Sequence, residues 1–325
     1  MADSLSTILS KGWNDFKANP ILLVPGILTM VLTYLFLIAV FFSIFGSSIP
    51  TDLIINSYFI DSSFINDFDF SSVHLGNFIA ISGVSLILFL ILSVFLSAGL
   101  VGMGKETVVK GKTTFRDMFS YGTQYFFKLL LLTIATVVIF LSAVGIPFVL
   151  LMFIAILFVT LFSSAFGVLA FFIFYLIIML LVLIITVLVS LSIYFATYAL
   201  VIDDFDVLDS LKISYRLFMN NKLDIFAFVF VMILVSVAVS AVLQILSFAL
   251  SFIPILGDLI YIVSDVVLLS VVSALTTVWS VRKYYELTRA DESEDTGKPE
   301  EIETFKEEET FSEYSEIERG ILNGE

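Results

Sequence analysis

Residues 129–202 read LLLLTIATVVIFLSAVGIPFVLLMFIAILFVTLFSSAFGVLAFFIFYLIIMLLVLIITVLVSLSIYFATYALVI, and none of them is charged. Lys128 precedes the run, and Asp203, Asp204 and Lys212 follow it. One crossing of a bilayer takes about 20 apolar residues, so this stretch is expected to span a membrane. Basic residues on both flanks require an even number of crossings. Four would leave about 18 residues each and nothing for turns, so two long helices are expected. Gly145-Ile146-Pro147 should break or kink the first of them near its outer end, because proline removes a backbone donor and clashes with the preceding turn. Ser163-Ser164 to Gly167 is the expected turn. Residues 148–162 stay open between a longer helix and a re-entrant piece.

Outward from this run, the positive charges that precede the tail fall into four clusters: Lys11 and Lys17; Lys105, Lys110, Lys112, Arg116 and Lys128; Lys212, Arg216 and Lys222; Arg282, Lys283 and Arg289. Each gap between clusters is long and apolar. If each is an out-and-back hairpin, all four clusters lie on one side, the cytoplasmic one by the positive-inside rule. Spans are expected over Ile21 to Phe45, Phe78 to Met103, two within 129–202, Asp224 to Phe252, and Leu259 to Val281 after a turn at Pro254 to Asp258. An outer loop from Gly46 to Asn77 carries Asp52, Asp61, Asp67 and Asp69 and no base. The expected molecule is an all-α, polytopic protein of the cell membrane with six spans and both termini cytoplasmic.

Composition agrees. The chain is 59% hydrophobic and 14% charged with mean hydropathy +1.08, whereas soluble domains carry about a quarter charged residues. Of the net charge of −14, the stretch from Asp291 to Glu325 holds −11, leaving −3 for the preceding 290 residues. The acidity therefore belongs to a tail, and no nucleic-acid partner is expected, since short basic clusters beside spans are explained by topology. There is no cysteine, which excludes disulfides, thiolate metal sites and cysteine nucleophiles. Met1 to Pro20 lacks the layout of a secretory signal, and the first apolar run is read as a retained span.

An amphipathic segment precedes each hairpin. Leu5, Ile8, Leu9, Gly12, Trp13 and Phe16 share one helical face. Phe115, Met118, Phe119, Gly122, Thr123 and Phe126 repeat the spacing, as do Val207, Ser210, Leu211, Ser214, Tyr215 and Phe218. The small residue at Gly12, Gly122 and Ser214 would let each helix lie close to a neighbour. The pattern predicts three repeats of an interfacial helix plus a helical hairpin (about 1–103, 104–202 and 203–289), with three independent amphipathic helices as the other reading. Trp13, Phe16, Phe119, Phe126, Tyr215 and Phe218 are the expected interfacial anchors to membrane lipid.

Leu9-Ser10-Lys11-Gly12-Trp13-Asn14-Asp15-Phe16-Lys17-Ala18-Asn19-Pro20 resembles a broad group of uncharacterised six-span prokaryotic membrane proteins, and so does the stretch from Leu200 to Ser214. The group includes archaeal domains of unknown function and the membrane domain fused to some glycerophosphodiester phosphodiesterases. The resemblance covers about residues 1–289 and implies a six-span architecture. It brings no catalytic residues, and the soluble phosphodiesterase domain has no counterpart in this chain.

Few residues suggest chemistry. Asp203, Asp204, Asp206 and Asp209 form the densest acidic cluster at a membrane edge, the kind of motif through which intramembrane prenyl transferases hold magnesium diphosphate. Such enzymes need a second motif on the same side, and the reading preferred is that these aspartates cap and complement the helix that follows. Asp265 lies about 9 Å inside the last span at 1.5 Å per residue, with Gln244 on the preceding span at similar depth. An ionisable residue there suggests a proton or ion step, or a bond to Gln244 or to Ser and Thr neighbours that ties the hairpin. His74, the only histidine, and Asn66-Asp67-Phe68-Asp69 lie on the outer loop and make neither a zinc site nor an EF-hand. The tail, residues 290–325, is expected to begin disordered. Its Phe311, Tyr314, Ile317 and Ile321 have near-helical spacing and could meet a cytoplasmic protein partner. No cofactor and no metal are expected. The readings are a non-enzymatic accessory or scaffold organising lipid or partner proteins, a transporter or channel using Asp265, and, behind both, a lipid-modifying enzyme using the Asp203–Asp209 cluster.

Overall fold

The computed structural model describes residues 5–45, 75–161, 165–253 and 256–296. Helix α1 (Leu5–Ala18) leads through a single 3-10 turn (Pro20–Leu22) into α2 (Leu23–Phe45). There follow α3 (Leu75–Lys110), α4 (Phe115–Phe140), a π-helical turn (Leu141–Gly145), α5 (Ile146–Leu161) and α6 (Ala165–Ile193). Short α7 (Ala196–Ile202) precedes α8 (Val207–Asn220), α9 (Lys222–Leu250) and α10 (Leu256–Thr296). There is no strand among the described residues. Six segments are long and apolar enough to cross a membrane: Pro20–Ile44, Phe78–Lys110, Phe115–Ile154, Phe171–Ile202, Lys222–Leu250 and Leu256–Arg289. The chain is an all-α, multi-pass membrane protein, and its uncharged run holds two spans.

Several local expectations change. Gly145-Ile146-Pro147 does not end the helix; the π turn immediately before Pro147 carries α4 into α5. A π turn shifts the hydrogen-bond ladder by one residue, which takes up both the missing proline donor and the ring's crowding of the preceding turn. Residues 148–161 therefore continue as helix beyond Pro147. Gly167 lies inside α6, and Gly257 and Asp258 inside the first turn of α10. A Cβ on Gly257 would fall 2.2 Å from the carbonyl oxygen of Leu250, so the last hairpin closes only around a glycine. The amphipathic segments at α1 and α8 are helices of their own, but the middle one is the opening of α4, continuous with its span. Helix α3 passes Met103 to Lys110, and α10 passes Val281 and Arg289 to Thr296, so the tail starts as helix.

The core sits at the basic end of the molecule. Helix α10 has 41 residues, about 60 Å at 1.5 Å per residue, twice a hydrocarbon thickness of about 30 Å. Its C-terminal half packs with α1, the end of α3, α7, α8 and the start of α9. Buried there are Ala98, Val101, Tyr125, Leu129, Phe195, Leu200, Leu217, Ile225, Phe228, Val281 and Tyr284. A smaller cluster beside it gathers Leu22, Leu100, Met103, Met118, Ala274 and Val278. In the most apolar windows of the third and fourth spans, by contrast, no residue is buried. Lipid tails are as apolar as leucine and give no drive to bury it. At the watery end each Å² removed from solvent stabilises the fold by about 25 cal/mol, so the packed core forms there.

The outer-loop calls on Asp52, Asp61, Asn66 to Asp69 and His74, and the tail positions Phe311, Tyr314, Ile317 and Ile321, lie outside the described residues.

Candidate functional site

The basic end is held by a run on α10. Trp279 donates its indole N–H to the carbonyl of Leu9 at 2.9 Å, and its ring lies flat enough on α1 that a Cβ at Gly12 would sit 2.4 Å from it. Arg282 grips Asp15 of α1 through Nε at 2.6 Å and Nη2 at 2.5 Å. Lys283, buried, reaches Asp224 of α9 at 2.5 Å and Glu286 at 2.8 Å. Tyr284, also buried, donates its hydroxyl to Asp203. Four neighbouring side chains thus fasten α1, α9 and the aspartate turn to one helix.

A second belt closes the other side. Glu106 accepts from the Tyr121 hydroxyl at 2.6 Å and pairs with Lys110 at 2.6 Å. Lys105 donates to the carbonyl of Ile202 at 2.6 Å, satisfying the end of α7. The side chain of Asn19 bridges the α1–α2 corner to the α3–α4 corner: its amide donates to the carbonyls of Asp15 and Gly111, and its oxygen accepts from the N–H of Thr113. Gly111, at φ 72°, makes that second corner possible.

The small residues singled out from the sequence are all buried. Gly12 meets Trp279, Gly122 lies so close to Phe95 that a Cβ would come within 2.7 Å of the ring, and Ser214 fills the break between α6 and α7. Ser214 donates to the carbonyl of Ser192 at 2.8 Å and accepts from the N–H of Phe195 at 3.1 Å. Among the aromatic anchors, Trp13, Phe119 and Tyr215 are exposed, while Phe16 and Phe126 pack half-buried on the core. Phe218 is buried in the core and faces no lipid, because its side of α8 turns towards the bundle.

The aspartate cluster is dispersed over different partners. Asp203 takes the Tyr284 hydroxyl; Asp204 pairs with Lys128 at 2.8 Å and Asp206 with the same lysine at 3.5 Å; Asp209 pairs with Lys212 at 2.9 Å. Asp206 occupies the N-cap position of α8 but its side chain makes no cap bond. Asp204 adopts φ 57°, a left-handed conformation that Asp tolerates better than most residues. No group of three or more His, Cys, Asp or Glu placed to hold a metal occurs among the described residues.

Asp265 has a partner that the spacing did not suggest. Tyr34 of α2 donates its hydroxyl to Asp265 at 2.7 Å. Gln244 is exposed on α9 and makes no bond to Asp265. A tyrosine in mid-span was the available signal, since its hydroxyl needs a partner in hydrocarbon.

A groove of about 590 Å³ opens between α4 and the start of α8. Phe127, Leu130, Leu131, Ile134, Val207 and Leu208 form its apolar wall, and Lys128, Lys212, Asp206 and Asp209 its charged rim.

A family described as a domain of unknown function, DUF7847, matches residues 4–287. The chain belongs to the DUF7847 family. The match takes in five spans whole, all but the last two residues of the sixth, and every ion pair described above, and ends before the acidic tail. No curated protein and no solved structure matches the chain. Membership of DUF7847 carries no link to glycerophosphodiester phosphodiesterases and none to an archaeal source, so those two parts of the sequence resemblance are set aside.

Proposed function

We propose that this DUF7847 protein is a non-enzymatic membrane accessory protein or scaffold, whose basic end organises membrane lipid or partner proteins at the bilayer surface. The supporting observation is the use to which the ionisable residues are put. Arg282, Lys283, Asp15, Asp203, Asp224 and Glu106 are each engaged by another part of the bundle. Groups engaged in this way build a firm platform in preference to a set poised for proton transfer. The positive-inside rule puts that platform, with both termini, in the cytoplasm of a cell. The acidic tail beyond α10 would then meet cytoplasmic proteins.

Native mass spectrometry of the gently extracted full chain, and of a form ending at residue 290, tests this reading. Bound lipid in both forms, or a stoichiometric protein lost with the tail, is the expected result. Neither lipid nor protein in either form would contradict it.

The Tyr34–Asp265 pair favours a second reading, a transporter or channel with an intramembrane proton or ion step. Its mark would be a flux in reconstituted vesicles that Asp265→Asn abolishes. No flux in any vesicle assay would remove it.

A further inference from the structure

The groove between α4 and α8 has a shape and charge that fit one ligand class. Its wall residues on α4, Phe127 to Ile134, lie in the third span at the point where Lys128 gives way to the uncharged run, and charged residues at the end of an apolar run stand at the level where headgroups meet acyl chains. Phe127 is 79% exposed and Leu208 68% exposed, and side chains of that kind at the membrane boundary are covered by hydrocarbon. The rim carries two lysines and two aspartates. An anionic headgroup would meet Asp206 and Asp209, and a cation would meet Lys128 and Lys212. A headgroup with both a phosphate and an ammonium answers both pairs. The Lys212–Asp209 pair and both pairs of Lys128, the closer with Asp204 and the longer with Asp206, are solvent-exposed, and such pairs are weak enough to exchange partners with a headgroup. The volume lies within the range of small-ligand sites, roughly 300–1,000 Å³. It suits a headgroup and the first carbons of the chains, with the remainder left in the bilayer.

We propose that this groove is a binding site for a zwitterionic, phosphoethanolamine-type phospholipid. Its phosphate lies on Lys128 and Lys212, its ammonium on Asp206 and Asp209, and its upper chains on Leu130, Leu131 and Ile134. The proposal rests on the reading of the basic end as a platform that organises lipid, and names the lipid class.

The test is native mass spectrometry of the full chain with an equal mixture of phosphatidylethanolamine and phosphatidylglycerol of identical chains. One phosphatidylethanolamine should be retained per chain, preferred by roughly threefold or more, the scale of an exposed ion-pair exchange. The double variant Lys212→Gln with Asp209→Asn should bring the preference to parity, and Leu131→Trp, which fills the wall, should lower retention of both lipids. All three positions are exposed, and unchanged melting would show that the variants fold. Equal retention by the wild type, preference for phosphatidylglycerol, or a preference that survives both variants would overturn the proposal. A preference that emerges only after removal of residues 297–325 would also overturn it, assigning the groove to the chain's own tail. The same spectra count co-purifying protein. Protein captured without lipid preference removes the groove alone, and lipid preference with no partner leaves the groove standing without a protein scaffold.

Discussion

The hydroxyl of Tyr34, on the first span, donates to Oδ2 of Asp265, on the last, at 2.7 Å. This bond joins the first and last spans inside the apolar layer, far from the core at the basic end. Tyr34→Phe and Asp265→Asn should each lower thermal stability, and a double-mutant cycle should return a coupling near 0.6 and at most about 1.7 kcal/mol, the scale of hydrogen bonds between membrane helices. Zero coupling would show that the two residues do not meet.

Gly12→Ala should loosen α1. The new methyl would lie 2.4 Å from the Trp279 ring, so the indole must shift and its bond to Leu9 must lengthen. Overpacking of this kind costs about 1–3 kcal/mol. The chain has two tryptophans, so in a Trp13→Phe background the emission reports Trp279 alone. It should move to longer wavelength as the ring gains water.

Lys283 should tolerate removal better than isolation. Asp224→Asn with Glu286→Gln leaves an ammonium group, 2% exposed, without either carboxylate, and stranding a buried charge costs about 3–5 kcal/mol. Lys283→Met removes the charge and keeps most of the volume. Asp224, half-exposed, can then turn to water. Chemical denaturation of the detergent-solubilised protein should rank Lys283→Met above the double variant.

Ser214→Ala should open the junction of α6 and α7. It removes the donor to Ser192 and the acceptor for the Phe195 N–H, and unpaired buried groups cost about 1–3 kcal/mol each. Hydrogen exchange should quicken around residues 195–198, with the outer halves of the spans unchanged.

How much of this was legible in the sequence depended on range. The uncharged run after Lys128 was enough to require two crossings, because the argument needs only length and flanking charge. Ser214 and Gly12 were recognisable as close-contact positions, since a small residue on an apolar face has few other uses. Their partners were not, because helical period names a face and not what it meets. Lys283 and Asp224 are 59 positions apart, with no local pattern to link them. Depth arithmetic placed Gln244 level with Asp265, but rotation about the helix axis turns Asp265 towards α2. Pro147 obeyed its local rule only in part, the π turn absorbing what would elsewhere be a break. The groove was hidden for a further reason: its two walls lie about 80 residues apart, and each reads alone as an ordinary span or cap.

The central claim is that the packed, basic end of the molecule stands in the cytoplasm. Since the chain has no cysteine, single substitutions report sidedness without background. Lys110→Cys and Arg289→Cys mark the basic end, and Gly76→Cys, exposed at the start of α3, marks the other. With a membrane-impermeant maleimide on intact cells, only Gly76→Cys should label, and the other two should label once the membrane is opened. Labelling of Lys110→Cys or Arg289→Cys in intact cells would contradict it.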